Sequence, residues 1–193
     1  MSKLKRSTQR LYLKYNDRSF TTPTLAQDWD VAGTGFGVET SGVFSTNYAY
    51  KAFDKLTSTT ASLTNVPNWL VMYNVNPLKL SSITIDNWSS YFGRTGSINA
   101  SNDGNNWTQL TTWSTSAGAN VQWSIDIPLS ARDFYHYYRI NFLTANSTLV
   151  YLKEVTLNGV ERLTVPGTSS DYSYFRDVYS YHTVLSGNKH YAL

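Results

Sequence analysis

The stretch Ser97-Ile98-Asn99-Ala100-Ser101-Asn102-Asp103-Gly104-Asn105-Asn106-Trp107-Thr108-Gln109-Leu110 decides how this chain reads. Asp103-Gly104 is a hairpin signal. A tight turn between antiparallel strands needs positive φ angles, which glycine adopts freely and aspartate tolerates. Ser97 to Ser101 alternates polar and apolar residues and reads as the incoming strand. Trp107 to Leu110 reads as the return strand, with Trp107 and Leu110 as its apolar anchors.

Strands recur on both sides of that turn. Trp69, Val71, Tyr73 and Val75 alternate with Leu70, Met72 and Asn74. Pro77 is expected to end that run, because proline cannot donate to a sheet ladder. Ser82 to Asp86 is a second strand. Val121, Trp123, Ile125 and Ile127 alternate with Gln122, Ser124 and Asp126 up to Pro128. Tyr138, Ile140 and Phe142 alternate with Arg139 and Asn141, and Leu149 to Leu157 runs into the turn Asn158-Gly159. Helical periodicity is nearly absent, with one short helical turn expected around Ser130 to Asp133. Short strands separated by turn signals predict an antiparallel sandwich or barrel.

Composition agrees with that class. The 193 residues hold 15 Tyr and 6 Trp; 15% are aromatic and only 15% charged. Rigid aromatics suit strands and binding surfaces. The formal net charge is +3, and Lys3, Lys5, Arg6, Arg10, Lys14 and Arg18 lie near the start against one acid, Asp17. This is a basic arm rather than a basic face, and no motif accompanies it, so nucleic-acid binding is not expected. The chain has no cysteine, which excludes disulfides, thiolate metal sites and a cysteine nucleophile. Ser7-Thr8-Gln9-Arg10 interrupts the N-terminal segment before it reaches a signal peptide's apolar length. No run approaches transmembrane length, so membrane insertion is not expected either.

Three regions follow. Residues 1–40 read as an N-terminal arm for docking or oligomerisation. Gly33-Thr34-Gly35-Phe36-Gly37 within it lacks the Gly-Lys-Ser/Thr ending of a phosphate loop and reads as a connector. Residues 41–160 carry the strands. Residues 161–193 form a tyrosine-rich tail that packs on the sandwich or on a neighbouring subunit, where tyrosine is favoured.

Several segments, in order, resemble the discoidin-like family (coagulation-factor-5/8 C-type, galactose-binding-like). Tyr48 to Asp54 resembles its A-F-D opening, Trp69-Leu70 its W-L strand and Ser82 to Ile85 its I-x-I strand. The Ser-Asn-Asp-Gly turn comes next, then Tyr137 to Ile140 as its Y-x-R-I strand and Val150 to Gly159 as its closing strand. The match spans about residues 43–160. It implies an all-β, antiparallel, jelly-roll-like β-sandwich whose loops at one end bind glycans or other surfaces. It also implies a structural calcium, here at Asp54 with Glu154. Lys55, however, puts a cation beside that site, and calcium wants six to eight hard oxygen ligands. The alternative is that Asp54 caps a turn and Glu154 faces solvent.

No catalytic constellation is visible. Carboxylates are scattered, the three histidines lie far apart, and no nucleophile elbow exists. Binding is better supported. The loop from Asn87 to Gly96 combines aromatics, an arginine with five donors, and glycines that let a backbone approach. Trp88, Tyr91 and Arg94 are the expected ligand-binding residues. The alternative puts Trp88 and Phe92 in the core, with Arg94 on a solvated edge.

Together these features predict a non-enzymatic bacteriophage virion protein of the tail, fibre or another appendage. It would assemble in the host cytoplasm as a homo-oligomer. The arm would meet other virion proteins, and the sandwich a host cell-surface glycan. One alternative is a purely structural decoration, collar or adaptor subunit. Another is a bacterial carbohydrate-binding module, which needs a catalytic partner domain that this sequence does not contain.

Overall fold

A computed structural model describes residues 8–10, 13–43, 45–166, 181–185 and 189–192, with side chains from 15 to 163 apart from 44. The chain divides into two compact units, residues 18–162 and residues 1–17 with 163–193. In order, the strands are β1 (Thr8–Arg10), β2 (Leu13–Ser19), β3 (Trp29–Asp30), β4 (Phe36–Thr40), β5 (Ala61–Leu63), β6 (Asn68–Asn87) and β7 (Gly93–Ser101). There follow β8 (Thr108–Ser114), β9 (Gln122–Asp126), β10 (Tyr135–Ala145), β11 (Val150–Pro166), β12 (Tyr181–Leu185) and β13 (Lys189–Ala192). In the smaller unit β1, β12 and β13 form a three-stranded antiparallel sheet, with Gln9 opposite His182 and Val184 opposite His190. The tyrosines expected to pack the tail, at 172, 174 and 179, lie outside the described residues.

The larger unit is an all-β antiparallel sandwich, and β6 belongs to both of its layers. The first half of β6 pairs with β4 and β10, setting Met72 opposite both Val38 and Tyr138. Its second half pairs with β11 and β9, setting Ile83 opposite both Leu157 and Ile125. The change of partner falls around Pro77. Two separate strands were expected here, and the structure shows one. Pro77 has no N–H to give, so it breaks the ladder where the strand is passing from one layer to the other.

Alternation then fills the core. Leu70, Met72, Leu80, Ile83 and Ile85 of β6 turn inward against Ile98 and Ala100 of β7, Ile140 and Phe142 of β10, and Val155 and Leu157 of β11. Tyr138 ties the crossing together. Its buried hydroxyl donates to the Leu78 carbonyl at 2.8 Å and accepts from the Leu80 amide at 3.3 Å. Burial pushes its pKa well above the usual phenol range.

Residues 18–40, expected in the arm, belong to this unit. Thr22 is buried, and its hydroxyl accepts from the Leu157 amide at 2.8 Å. Phe36 and Val38 lie in the core. The helical turn expected near Ser130 is a 3-10 turn, Leu129–Ala131.

The Asp103 turn joins β7 to β8, with Ala100 opposite Thr108. Gly104 takes the positive φ of +74°, but Asp103 does not share it. Asp103 works instead through its carboxylate, as aspartate does in Asx-turns. Oδ1 accepts the amides of Asn105 at 2.9 Å and Asn106 at 2.7 Å, and Oδ2 accepts the Asn106 carboxamide at 2.7 Å. These donors, the Asn106 amide foremost, hold the Asp103 carboxyl below the usual carboxylate range.

Two outcomes follow. Tyr138→Phe leaves the Leu78 carbonyl and the Leu80 amide without the hydroxyl. It is expected to cost about 1–3 kcal/mol in denaturant unfolding, as buried groups deprived of a partner do; an unchanged midpoint contradicts the role. Asp103 has a folded pKa below its unfolded one. Its contribution is therefore present above the ordinary carboxylate range and is lost as pH falls through the folded value. Asp103→Asn should flatten the acid limb of a melting-temperature profile, and parallel profiles would contradict this.

Candidate functional site

Three connections meet at one end of the larger unit: residues 88–92 between β6 and β7, 115–121 between β8 and β9, and 146–149 between β10 and β11. Side chains and backbone stitch them together. The Ser89 amide donates to Asn120 Oδ1 at 3.0 Å. The Asn146 amide donates to the Phe92 carbonyl at 3.0 Å, and the Asn146 carboxamide to the Ser90 carbonyl at 3.1 Å. The Tyr151 amide donates to the Tyr91 carbonyl at 2.7 Å, and the Trp88 amide to the Tyr151 carbonyl at 3.2 Å.

The three residues expected to bind ligand all lie on the first connection or just beyond it. Trp88 is 36% exposed and so stands outside the core, with Lys153 Nζ 5.0 Å from its ring centroid. The Tyr91 ring packs against Tyr151 at 4.8 Å. Arg94 lies over the Phe92 ring at 4.4 Å and donates to Asn146 Oδ1 at 3.3 Å. Phe92 is 3% exposed, the core position weighed for it. Trp88 and Tyr91 are thus joined through Tyr151, and Arg94 is held separately by Phe92 and Asn146. Asn146, Tyr151 and Lys153 come from the far side of the sequence, and alternation alone does not reveal them.

Asp54 and Glu154 do not fit a calcium ion. Asp54 spends its oxygens on the Leu56 amide at 2.9 Å and on the Thr59 hydroxyl at 2.7 and 2.9 Å. Glu154 pairs with Lys55 Nζ at 2.6 Å. Burial raises the pKa of Glu154 despite that ammonium. Among the described residues no group of three or more His, Asp or Glu side chains converges as a metal site. The turn-capping role weighed for Asp54 is what the geometry shows, and a cation on a side chain already occupies the space beside Glu154.

The carboxylates closest in sequence are likewise spent. Asp28 accepts the Tyr50 amide at 2.7 Å, and Asp30 Oδ1 accepts the Gln27 carboxamide at 3.4 Å. His136 Nδ1 sits 3.0 Å from the Asn74 carbonyl and its ring stacks on Tyr73.

A second cluster, unforeseen in the sequence, covers the outward face of the first layer. Registry aligns Gly37, Tyr73, Tyr137 and Ser101 across β4, β6, β10 and β7, and beside them Glu39, Val71, Arg139 and Asn99. Trp29 stacks on Tyr73 at 5.6 Å, and Tyr73 packs on Tyr137 at 4.7 Å. Arg139 lies over Trp107 at 4.2 Å, and burial lowers the pKa of Arg139.

No protein-family profile matches the chain, and no curated protein sequence matches it. Solved structures do. The family 32 carbohydrate-binding module of C. perfringens NanJ, in complex with galactose, gives a TM-score of 0.59 at 14% identity, over 73% of this chain and 99% of that one. The module CBM32-3 from a family 31 glycoside hydrolase of Clostridium perfringens gives 0.54 at 16% identity, over 65% and 91%. Chitosan-binding module 1 from a chitosanase/glucanase of Paenibacillus sp. IK-5 gives 0.54 at 21% identity, over 63% and 92%. Likeness at these identities shows the fold, the discoidin-like, galactose-binding-type sandwich. None of these three is a virion protein. The expected phage appendage and its virion partners find no support among them.

The donor set yields a test. Millimolar Ca²⁺ or a chelator should leave the melting temperature of the protein unchanged; a rise of several degrees with Ca²⁺, reversed by chelation, contradicts the Lys55–Glu154 account.

Proposed function

We propose that residues 18–162 form a non-catalytic carbohydrate-binding module whose glycan site is the loop end carrying Trp88, Tyr91 and Arg94. Sugars present C–H faces that pack on aromatic rings and hydroxyls that need a few fixed polar partners. The observation that carries the reading is their place at one loop end: the partly exposed Trp88 and the Tyr91 ring lie on the connection after β6, and just beyond it Asn146 and the Phe92 ring hold the Arg94 guanidinium in place. Arginine so held offers its remaining donors without having to be ordered first. Lys153 at Trp88 adds a further donor.

The neighbouring structures support this reading without fixing the sugar: one was solved with galactose, another is named for chitosan. Hexose residues of a glycan are the ligand class they suggest. A reading in which the same loops serve only assembly lacks a comparable observation.

Titration calorimetry of the full chain against galactose-, N-acetylgalactosamine- and chitosan-type oligosaccharides tests this. At least one should bind and be recovered uncleaved. Trp88→Ala and Arg94→Ala should each weaken it by about tenfold, the scale of one aromatic or charged hydrogen-bond contact. Absence of binding across the panel, or variants that bind as the parent does, contradicts the assignment.

A further inference from the structure

The outward face of the first layer carries binding chemistry that the fold does not use. Between Trp29, Trp69, Trp107 and Tyr137 lies an open cavity of about 210 Å³, with Glu39 and Arg139 on its lining. Trp29 is 49% exposed even while stacked on Tyr73. Aromatic rings gathered at a surface and rimmed by polar groups mark interaction sites. Gly37 makes room for the wall: a Cβ there would stand 2.8 Å from Trp29 Cε3.

The polar groups are unspent. Arg139 Nε is buried and has no hydrogen-bond partner. Its guanidinium is fixed over Trp107, so the donor is oriented but unsatisfied. Nε itself is closed off beneath the surface, so a molecule in the cleft would meet the outer guanidinium nitrogens of Arg139, for which no hydrogen bond is found among the described residues. Among the described residues Glu39 makes no ion pair, and it stands across Val71 from Arg139. The structural frame, by contrast, is satisfied nearby: Asn141 donates to Ser97 Oγ at 2.9 Å and to Asn99 Oδ1 at 2.7 Å.

These features select a ligand class. One carboxylate and one guanidinium together favour an uncharged partner over an anion or a cation. Such a partner must both donate and accept, as hydroxyls do. The cavity falls below the roughly 300–1,000 Å³ that holds a drug-sized ligand, so it suits a single ring. We propose that this cleft is a second carbohydrate site. It would take one uncharged pyranose ring against Trp29 and Trp107, with hydroxyls hydrogen-bonded to Glu39 and Arg139. The proposal shares its ligand class with the loop-end reading but none of its residues, so the two fail separately.

The test uses the full chain carrying Trp88→Ala and Arg94→Ala, which disables the loop end. Methyl β-galactoside, methyl β-glucoside and methyl N-acetyl-β-glucosaminide are titrated while the tryptophan indole N–H resonances are followed by NMR. Glucuronate and glucosamine serve as charged controls. The expected result is that a neutral glycoside shifts the Trp29 and Trp107 signals and the charged sugars do so less. Adding Trp29→Phe or Arg139→Lys, with the melting temperature maintained, should weaken that binding by about tenfold. The proposal is overturned if no neutral glycoside moves those signals, or if the charged sugars bind better. It is also overturned if the signals move only with protein concentration, which identifies a second copy of the chain as the occupant. A loop-end failure shows differently: Trp88→Ala and Arg94→Ala then leave total binding unchanged.

Discussion

Strand β6 has to serve both layers of the sandwich, and its ladder breaks at Pro77 to do so. Proline offers no amide; pairing with β4 ends at Asn74, and pairing with β10 skips from Tyr73 to Leu78 across a register shift. Before the break β6 lies between β4 and β10; at Leu78 it lies between β10 and β11, and from Ser82 between β11 and β9. The Tyr138 hydroxyl spans the crossing from Leu78 to Leu80, which fixes how one layer lies over the other. Inward alternation on every paired strand then follows from that registry, because a slip of one residue would turn each buried set to the solvent. The connections that carry Trp88, Tyr91 and Arg94 leave from the end of this same strand.

Much of the fold was legible because its signals are local. The alternation of β9 and β10 and the Asp103-Gly104 turn each fit in a short window. Where the sequence misled, a longer-range partner had the deciding role. The run from Trp69 to Val75 is apolar at nearly every position, so period two cannot say which set faces in. The structure puts Leu70 and Met72 inside and leaves Trp69 and Tyr73 outside. Pro77 looked like a stop because a ladder break and a strand end have the same local cause. Phe36 and Val38 sat among glycines that read as a connector, and only pairing with β6 makes them core. Asp103 was read for its backbone, and it works through its carboxylate.

The loop end was partly legible for a similar reason. Trp88, Tyr91 and Arg94 lie within one short segment, whereas the groups that hold them, Asn146 and Tyr151, return from more than fifty residues away. The outward aromatic cluster was not legible at all, since its members come from separate strands and meet only through registry. Family resemblance helped with the strands, and at Asp54 and Glu154 it implies a metal where the side chains have other partners. There the Lys55 ammonium pairs with Glu154.

A crystal of the full chain soaked with a galactose-terminated oligosaccharide tests the central claim most directly. An ordered sugar ring is expected at the loop end, packed on Trp88 or Tyr91, with a hydroxyl on the Arg94 guanidinium. Sugar density that avoids this end, or a loop end sealed against a neighbouring subunit in solution as well as in the crystal, would contradict it.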